Sequence, residues 1–358
     1  MGYRVPLFAV ALAVAAPAAG QSPAAAADPP RVHFVGTGGT ISNQSGGRLT
    51  VDELVELVPD LAEHARVTSE QFANVSSSRM TLDQWLQLSR RVNEILAQDP
   101  ELAGVVVTSG TDTLEETAFF LHLTVRSERP VVVVGAMRNP SRLGYEGAAN
   151  LRQAFRVAAA PQSRGKGVLV VLNDEINSAR EVTKTDARRL HTFQSRGYGV
   201  LGVVDRDGPI YYRGLLRRHT YRSEFDLAGV TALPRVDVIM VYQGASGDLI
   251  EAAVDAGARA IVIASAGAGA ASPGQSEGQR YAYERGVYVV VSTRTGSGRI
   301  TPTFVPLPDE ELSEFMRLLV GYRIGAQDLT PLKARILMML ALTETDDVAE
   351  IRRMFAEY

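Results

Sequence analysis

The chain contains no cysteine. That excludes disulfides, thiol nucleophiles, thiolate metal sites and lipid attachment at a lipobox cysteine. With 358 residues it can bury a core large enough to do without cross-links. Histidine is scarce. His33, His64, His122, His191 and His219 show no ligand spacing, so no metal site is expected. The net charge is −3 and no basic block or aromatic-basic interleaving occurs, so no nucleic-acid partner is expected. Both phosphate fingerprints are missing. Ile41 stands where G-x-G-x-x-G needs its last glycine, and no Gly-Lys-Ser/Thr follows.

Residues 5–16 are almost wholly apolar, with Arg4 before them and Ala18-Ala19-Gly20 after. This is the pattern of a secretory signal. The run is too short to span the ~30 Å of a bilayer core. Residues 1–20 are read as a signal peptide and the Ala/Pro-rich residues 21–30 as a disordered lead-in. The mature protein is then periplasmic or secreted, with no membrane association.

What is present is α/β patterning. The chain is 46% hydrophobic and 22% charged, as in a soluble globular protein of two domains. Val32–Val35, Val105–Val107, Val131–Val134 and Val168–Leu172 are β-branched runs that fit buried parallel strands. Helical patterns at 81–98, 113–125 and 146–160 separate them. The alternation predicts a larger N-terminal domain over 31–212, with a mainly parallel sheet and helices on both faces. A polar, aperiodic stretch at 213–234 reads as a linker. A smaller α/β domain follows over 235–358, with strands at 236–242, 260–264 and 287–291. Its helices are predicted near 247–256, 275–285, from the Thr330-Pro331 cap to about Leu342, and over 346–357.

Four stretches deliver small or polar groups beyond buried strands, the end of an α/β sheet where ligands bind. Gly36–Thr40 fits either close ligand approach or a plain strand-to-loop turn. In Ser109-Gly110-Thr111-Asp112, Asp112 with Glu115 fits a capping-box-like helix start, or a carboxylate that holds an ammonium. Lys184, in Glu181-Val182-Thr183-Lys184-Thr185, is a surface charge or a partly desolvated proton-transfer group beside a hydroxyl. The turn Gly135-Ala136-Met137-Arg138 is a backbone contact to a ligand or an ordinary βα turn.

Together these residues resemble the bacterial-type L-asparaginase (asparaginase/glutaminase) family, of the periplasmic type. The resemblance rests on Gly38-Gly39-Thr40-Ile41 and Gly110-Thr111-Asp112-Thr113-Leu114-Glu115-Glu116-Thr117. It extends through Pro130–Arg138, Val182–Thr185, Arg218-His219-Thr220, Phe225-Asp226, Val254–Gly257 and Lys333-Ala334-Arg335. It implies two α/β domains, a homotetramer built as a dimer of dimers, and hydrolysis of a small-molecule amide without a cofactor. Thr40 is then the nucleophile, forming an acyl-enzyme and releasing ammonia. Thr111 and Lys184 form a second catalytic group with Asp112, which also binds the substrate's α-amino group. Ser77 matches the residue that holds the α-carboxylate, and Ser78, Gly110 and Ala136 complete the substrate contacts.

The chain also departs from the family. Its loop Ser42–Leu49 is short and lacks the lid tyrosine, and no tyrosine occurs between Tyr3 and Tyr145. Arg48 and Tyr145 are the stand-ins available. Ser78 and Arg79 replace a Gln and an Asp. An Asn has gone from Gly267–Ala270, and Ser292–Pro302 offers no match for the partner's Glu. Side-chain amide hydrolysis of asparagine, then glutamine, is the leading expectation. The alternatives are an amidase for a modified or peptide-linked asparagine and a non-catalytic periplasmic amino-acid-binding protein.

Overall fold

The computed structural model describes residues 1–2, 28–302 and 308–358. The predicted signal peptide and most of the lead-in lie outside the described residues. The lead-in is pinned at its end, so the expected disorder does not reach 28–30. Arg66 donates from its backbone N–H to Pro30 O at 2.9 Å and from Nε to Pro29 O at 3.1 Å, and its guanidinium pairs with Asp28 at 3.2 Å.

Eight strands form the larger sheet: β1 (Arg31–Gly38), β2 (Arg66–Val75), β3 (Leu102–Thr108), β4 (Val131–Val134), β5 (Val168–Leu172), β6 (Glu175–Ser178), β7 (Gly202–Asp205) and β8 (Gly208–Tyr211). Their order is β8-β7-β6-β5-β4-β3-β1-β2. Strands β2, β1, β3, β4 and β5 are parallel to one another, and β6 to β8 add antiparallel hairpins at one edge. The β-branched runs serve both faces because successive side chains alternate. Phe34, Val106, Val132 and Val134 pack on one side with Phe155 of α4 (Gly147–Ala159). Val35, Val105, Val107, Val131 and Val133 pack on the other, with Leu88 and Val92 of α2 (Leu82–Gln98) and Leu121 of α3 (Leu114–Thr124). The ten-residue β2 reads as no apolar run because it is an edge strand with polar residues interspersed.

A tight hairpin follows β5. Asn173 and Asp174 sit at φ 55° and 61°, as a two-residue hairpin turn of type I′ requires. The chain therefore returns along β6 before it reaches Lys184.

The smaller sheet is β9 (Val236–Met240), β10 (Ala260–Ser265), β11 (Tyr288–Thr293) and β12 (Arg323–Gly325), all parallel and in that order. Helix α8 (Pro331–Glu344) lies between this sheet and the N-terminal domain. Its stretch from Ile336 to Ala341 is wholly apolar and buried on every side. Ile336, Met339 and Leu340 share one cluster with Phe119, Phe120 and Trp85 of the N-terminal domain. The segment 213–234 is no loose tether. Phe225 joins that cluster against Tyr358, ring centroids 5.1 Å apart, and Arg218 donates to Glu357 Oε2 at 2.6 Å. Among the described residues no helix is long and apolar enough to cross a membrane.

Candidate active site

Strands β1 and β3 run parallel side by side, His33 opposite Val105 and Val35 opposite Val107. Both strands therefore arrive at the same end of the sheet. Thr37 clamps them there: its N–H donates to Thr108 Oγ1 at 3.0 Å and its hydroxyl to Thr108 O at 2.5 Å. Beyond this clamp Gly38 and Gly39 adopt φ 98° and 95°, a left-handed turn that glycine enters without strain. Space also demands glycine. A Cβ on Gly39 would lie 2.4 Å from Gly110 N, and one on Gly110 would lie 2.8 Å from Ser77 Oγ. The turns that carry Thr40, Thr111 and Ser77 thus pack backbone against backbone. Thr40 opens the short 3-10 turn Thr40–Ser42 and is half-buried.

The second turn carries a charged constellation. Lys184 Nζ donates to Thr111 Oγ1 at 3.1 Å and to Asp112 Oδ1 at 2.7 Å. The Lys184 side chain is 14% exposed and that of Asp112 74%, so the group runs from the protein interior to solvent. An open recess of about 340 Å3, lined by Asp112, Lys184, Thr185, Asp186 and Ala187, lies against it.

Two buried charges hold Lys184 in place. Glu115 Oε1 accepts from Thr183 Oγ1 at 2.9 Å and from Lys184 N at 3.2 Å. Lys333 of α8 reaches across from the other domain and donates to Arg180 O at 2.9 Å and to Val182 O. Lys333 is 1% exposed, and this burial pulls its ammonium pKa down to about 8. Glu115 therefore does not close a capping box with Asp112. The N-cap of α3 is Thr113, without a side-chain cap bond, and Asp112 is committed to Lys184.

Of the other expected residues, Ser77 is buried and its Oγ accepts from Thr113 N at 3.3 Å. Ser78 is in the same turn but exposed. Ala136 is fully buried within the core. In that turn Gly135 is the residue at Thr111, since a Cβ there would lie 3.2 Å from Thr111 Cγ2. Asp60, Glu63 and His64 bring metal-ligand atoms within 4.8 Å, but Arg152 Nε already donates to Asp60 Oδ2 at 2.7 Å. Sequence reasoning assigned no role to Glu115 beyond a helix start and none to Lys333. The signal that could have found Lys333 was a lysine in the first turn of a mostly apolar helix.

The family model "Asparaginase, N-terminal" matches residues 31–216, and "Glutaminase/Asparaginase C-terminal domain" matches residues 235–355. The chain belongs to the asparaginase family. It is thereby an L-asparaginase-type amidohydrolase. It is 42% identical over 342 residues to L-asparaginase 2 of Bacillus subtilis, covering 92% of this chain and 87% of that one. It is 37% identical to a probable periplasmic L-asparaginase of Haemophilus influenzae, covering 95% and 96%. The crystal structure of a probable cytoplasmic L-asparaginase from Campylobacter jejuni superposes with a TM-score of 0.81 at 36% identity, covering 92% of this chain and all of that one.

Proposed function

We propose that this asparaginase-family enzyme hydrolyses the side-chain amide of L-asparagine, and of L-glutamine, to the acid and ammonia without a cofactor. The observation that carries the reading is the Lys184–Thr111–Asp112 group standing beside the glycine turn that presents Thr40. Thr40 Oγ attacks the amide carbon. Its proton enters the Thr111–Lys184–Asp112 chain, whose carboxylate end can take it up, and is handed to the departing nitrogen, which leaves as ammonia. Backbone N–H groups of the packed turns receive the oxyanion. Water then enters by the same route and releases the acid from Thr40. Ser77, with Gly110 and Ala136 nearby in sequence motifs of the family, holds the amino-acid end of the substrate.

A second reading, an amidase for N-substituted or peptide-linked asparagine, draws on one observation. The Asp112 carboxylate that would hold a free α-ammonium is already paired with Lys184 at 2.7 Å. An ammonia-release panel over asparagine, glutamine, N-acetylasparagine and asparaginyl peptides tests both. Free amino acids as the best substrates support the first; release from none of these amides defeats it. Export to the periplasm and assembly as a homotetramer belong to the same proposal. The N-terminus of the exported protein and its mass by light scattering test them.

A further inference from the structure

Residues 43–48 fold into a minimal hairpin, Asn43–Gln44 pairing with Gly47–Arg48 and Asn43 opposite Arg48. Leu49 N closes its base on Ser42 O at 2.7 Å, and Ser45 N at its tip donates to Ser141 Oγ at 2.8 Å. This brings the Arg48 guanidinium back over the turn that precedes Thr40. Nη1 donates to Gly39 O at 3.2 Å and Nη2 to Ser76 Oγ at 3.1 Å.

We propose that Arg48 is the positioning residue of the nucleophile, fixing and polarising the Gly39–Thr40 peptide while tying it to the Ser76-Ser77 turn. The proposal rests on the amidohydrolase reading given above. Gly39 O and Thr40 N–H belong to one peptide group, and no peptide here is cis, so the N–H points away from the guanidinium. A cation on the carbonyl withdraws electron density through the amide and strengthens that N–H as a donor to developing negative charge. The same cation favours loss of the proton from the adjacent Thr40 hydroxyl. Ser42 N and Ser42 Oγ also donate to Gly39 O, at 3.3 and 3.2 Å, so the carbonyl is held from several sides and, among the described donors to it, the charge comes from Arg48. Through Ser76 the guanidinium also stands next to Ser77, where a substrate carboxylate would lie.

Tyr145 does not compete for this role. Its hydroxyl donates to Ile41 O at 2.8 Å, and burial pushes its pKa well above that of an ordinary tyrosine. It remains a protonated donor committed to backbone.

The test compares Arg48→Met, Arg48→Gln and Arg48→Lys by asparagine kinetics from pH 5 to 9, with melting temperatures alongside. Arg48→Met is expected to lower kcat roughly tenfold to a hundredfold. Its acid limb of kcat/KM should move to higher pH by about half a unit or more, because the cation that favoured deprotonation is gone. Arg48→Lys should return the limb to its wild-type position and recover part of kcat. Arg48→Gln, which keeps donors but no charge, should leave the limb displaced. An Arg48→Met enzyme with kcat within about twofold and an unmoved limb overturns the inference. So does a loss of kcat that follows melting temperature and is not recovered by lysine. A wild type that releases no ammonia overturns both this inference and the amidohydrolase reading; an active wild type with indifferent Arg48 variants overturns this one alone.

Discussion

The Thr40 turn and the Thr111 turn sit on neighbouring strands, yet they are built on different principles. The Thr40 turn is held by backbone. Gly39 N donates to Val75 O at 2.9 Å, two left-handed glycines set its direction, and Arg48 brings a charge to it. The Thr111 turn is held by charge. Lys184, Asp112 and Glu115 meet around it, and Lys333 anchors the far side from another domain. In the proposed mechanism this contrast becomes a division of labour. A nucleophile needs close backbone approach, which glycine permits and any side chain would block. A proton-transfer group needs its amine held at hydrogen-bond distance, which requires fixed partners of opposite charge.

The largest effects should come from the chemical groups themselves. Thr40→Ala, Thr111→Val and Lys184→Met are each expected to lower kcat by about a thousandfold or more, and the double variant Thr111→Val/Lys184→Met should lose little beyond either single. Steady-state ammonia assays check this. Full additivity would show that Thr111 and Lys184 do not act as a unit.

Lys333→Met should break the charged half selectively. It strips two carbonyls of their donor and leaves Glu115 without a buried counter-charge. A loss of about 3 kcal/mol in urea unfolding is expected. kcat should also fall, by roughly tenfold or more, with the Lys184 segment loosened. Unchanged kcat in a destabilised variant would confine Lys333 to domain packing.

Much of this fold was legible in the sequence, and for a physical reason. Buried parallel strands must be apolar on both faces, so Val105–Val107 and Val131–Val134 could hardly be anything else. The edge strand Arg66–Val75 and the helix Glu314–Tyr322 were not legible, since one alternates with polar residues and the other buries no residue fully. At the site, Thr40, Thr111 and Lys184 stood out because hydroxyls and a lysine follow directly on strand patterns. Glu115 and Lys333 did not, because their roles depend on tertiary contacts. Glu115 looked like a helix cap until Thr183 and Lys184 were beside it. Lys333 is 151 residues from Val182 in the chain yet donates to its carbonyl.

A third prediction asks whether the junction between the domains depends on pH as the charged half depends on charge. His122 and His219 are buried with ring centroids 5.3 Å apart, and Val168 N donates to His122 Nδ1 at 3.2 Å. Burial, with Arg180 and Lys333 also facing His122 and Arg222 facing His219, holds both imidazoles below their ordinary pKa, His219 at about 4. Above pH 6.5 both are neutral whether the chain is folded or unfolded, and their contribution is fully present. As pH falls from 6.5 toward 4 the unfolded chain takes up protons that the folded chain refuses, so stability drops, by about 3 kcal/mol for His219. Urea unfolding at pH 7.5 and pH 4.5, in wild type and His219→Gln, checks it. A variant with the same acid loss as wild type would refute the assignment.

The smallest effect is expected at Tyr145→Phe. It removes a single hydrogen bond to Ile41 O, worth about 1 kcal/mol of stability. kcat should stay within about threefold, and a collapse of kcat would move the activating role from Arg48 to Tyr145.

The central claim is that Thr40 attacks and becomes acylated while the Thr111 group manages the proton. Rapid-quench mass spectrometry of the enzyme mixed with asparagine, followed by peptide mapping, tests it directly. An aspartyl adduct is expected on the peptide containing Thr40 and none in Thr40→Ala. An adduct on the Thr111 peptide, or a Thr40→Ala enzyme that turns over like wild type, would contradict it.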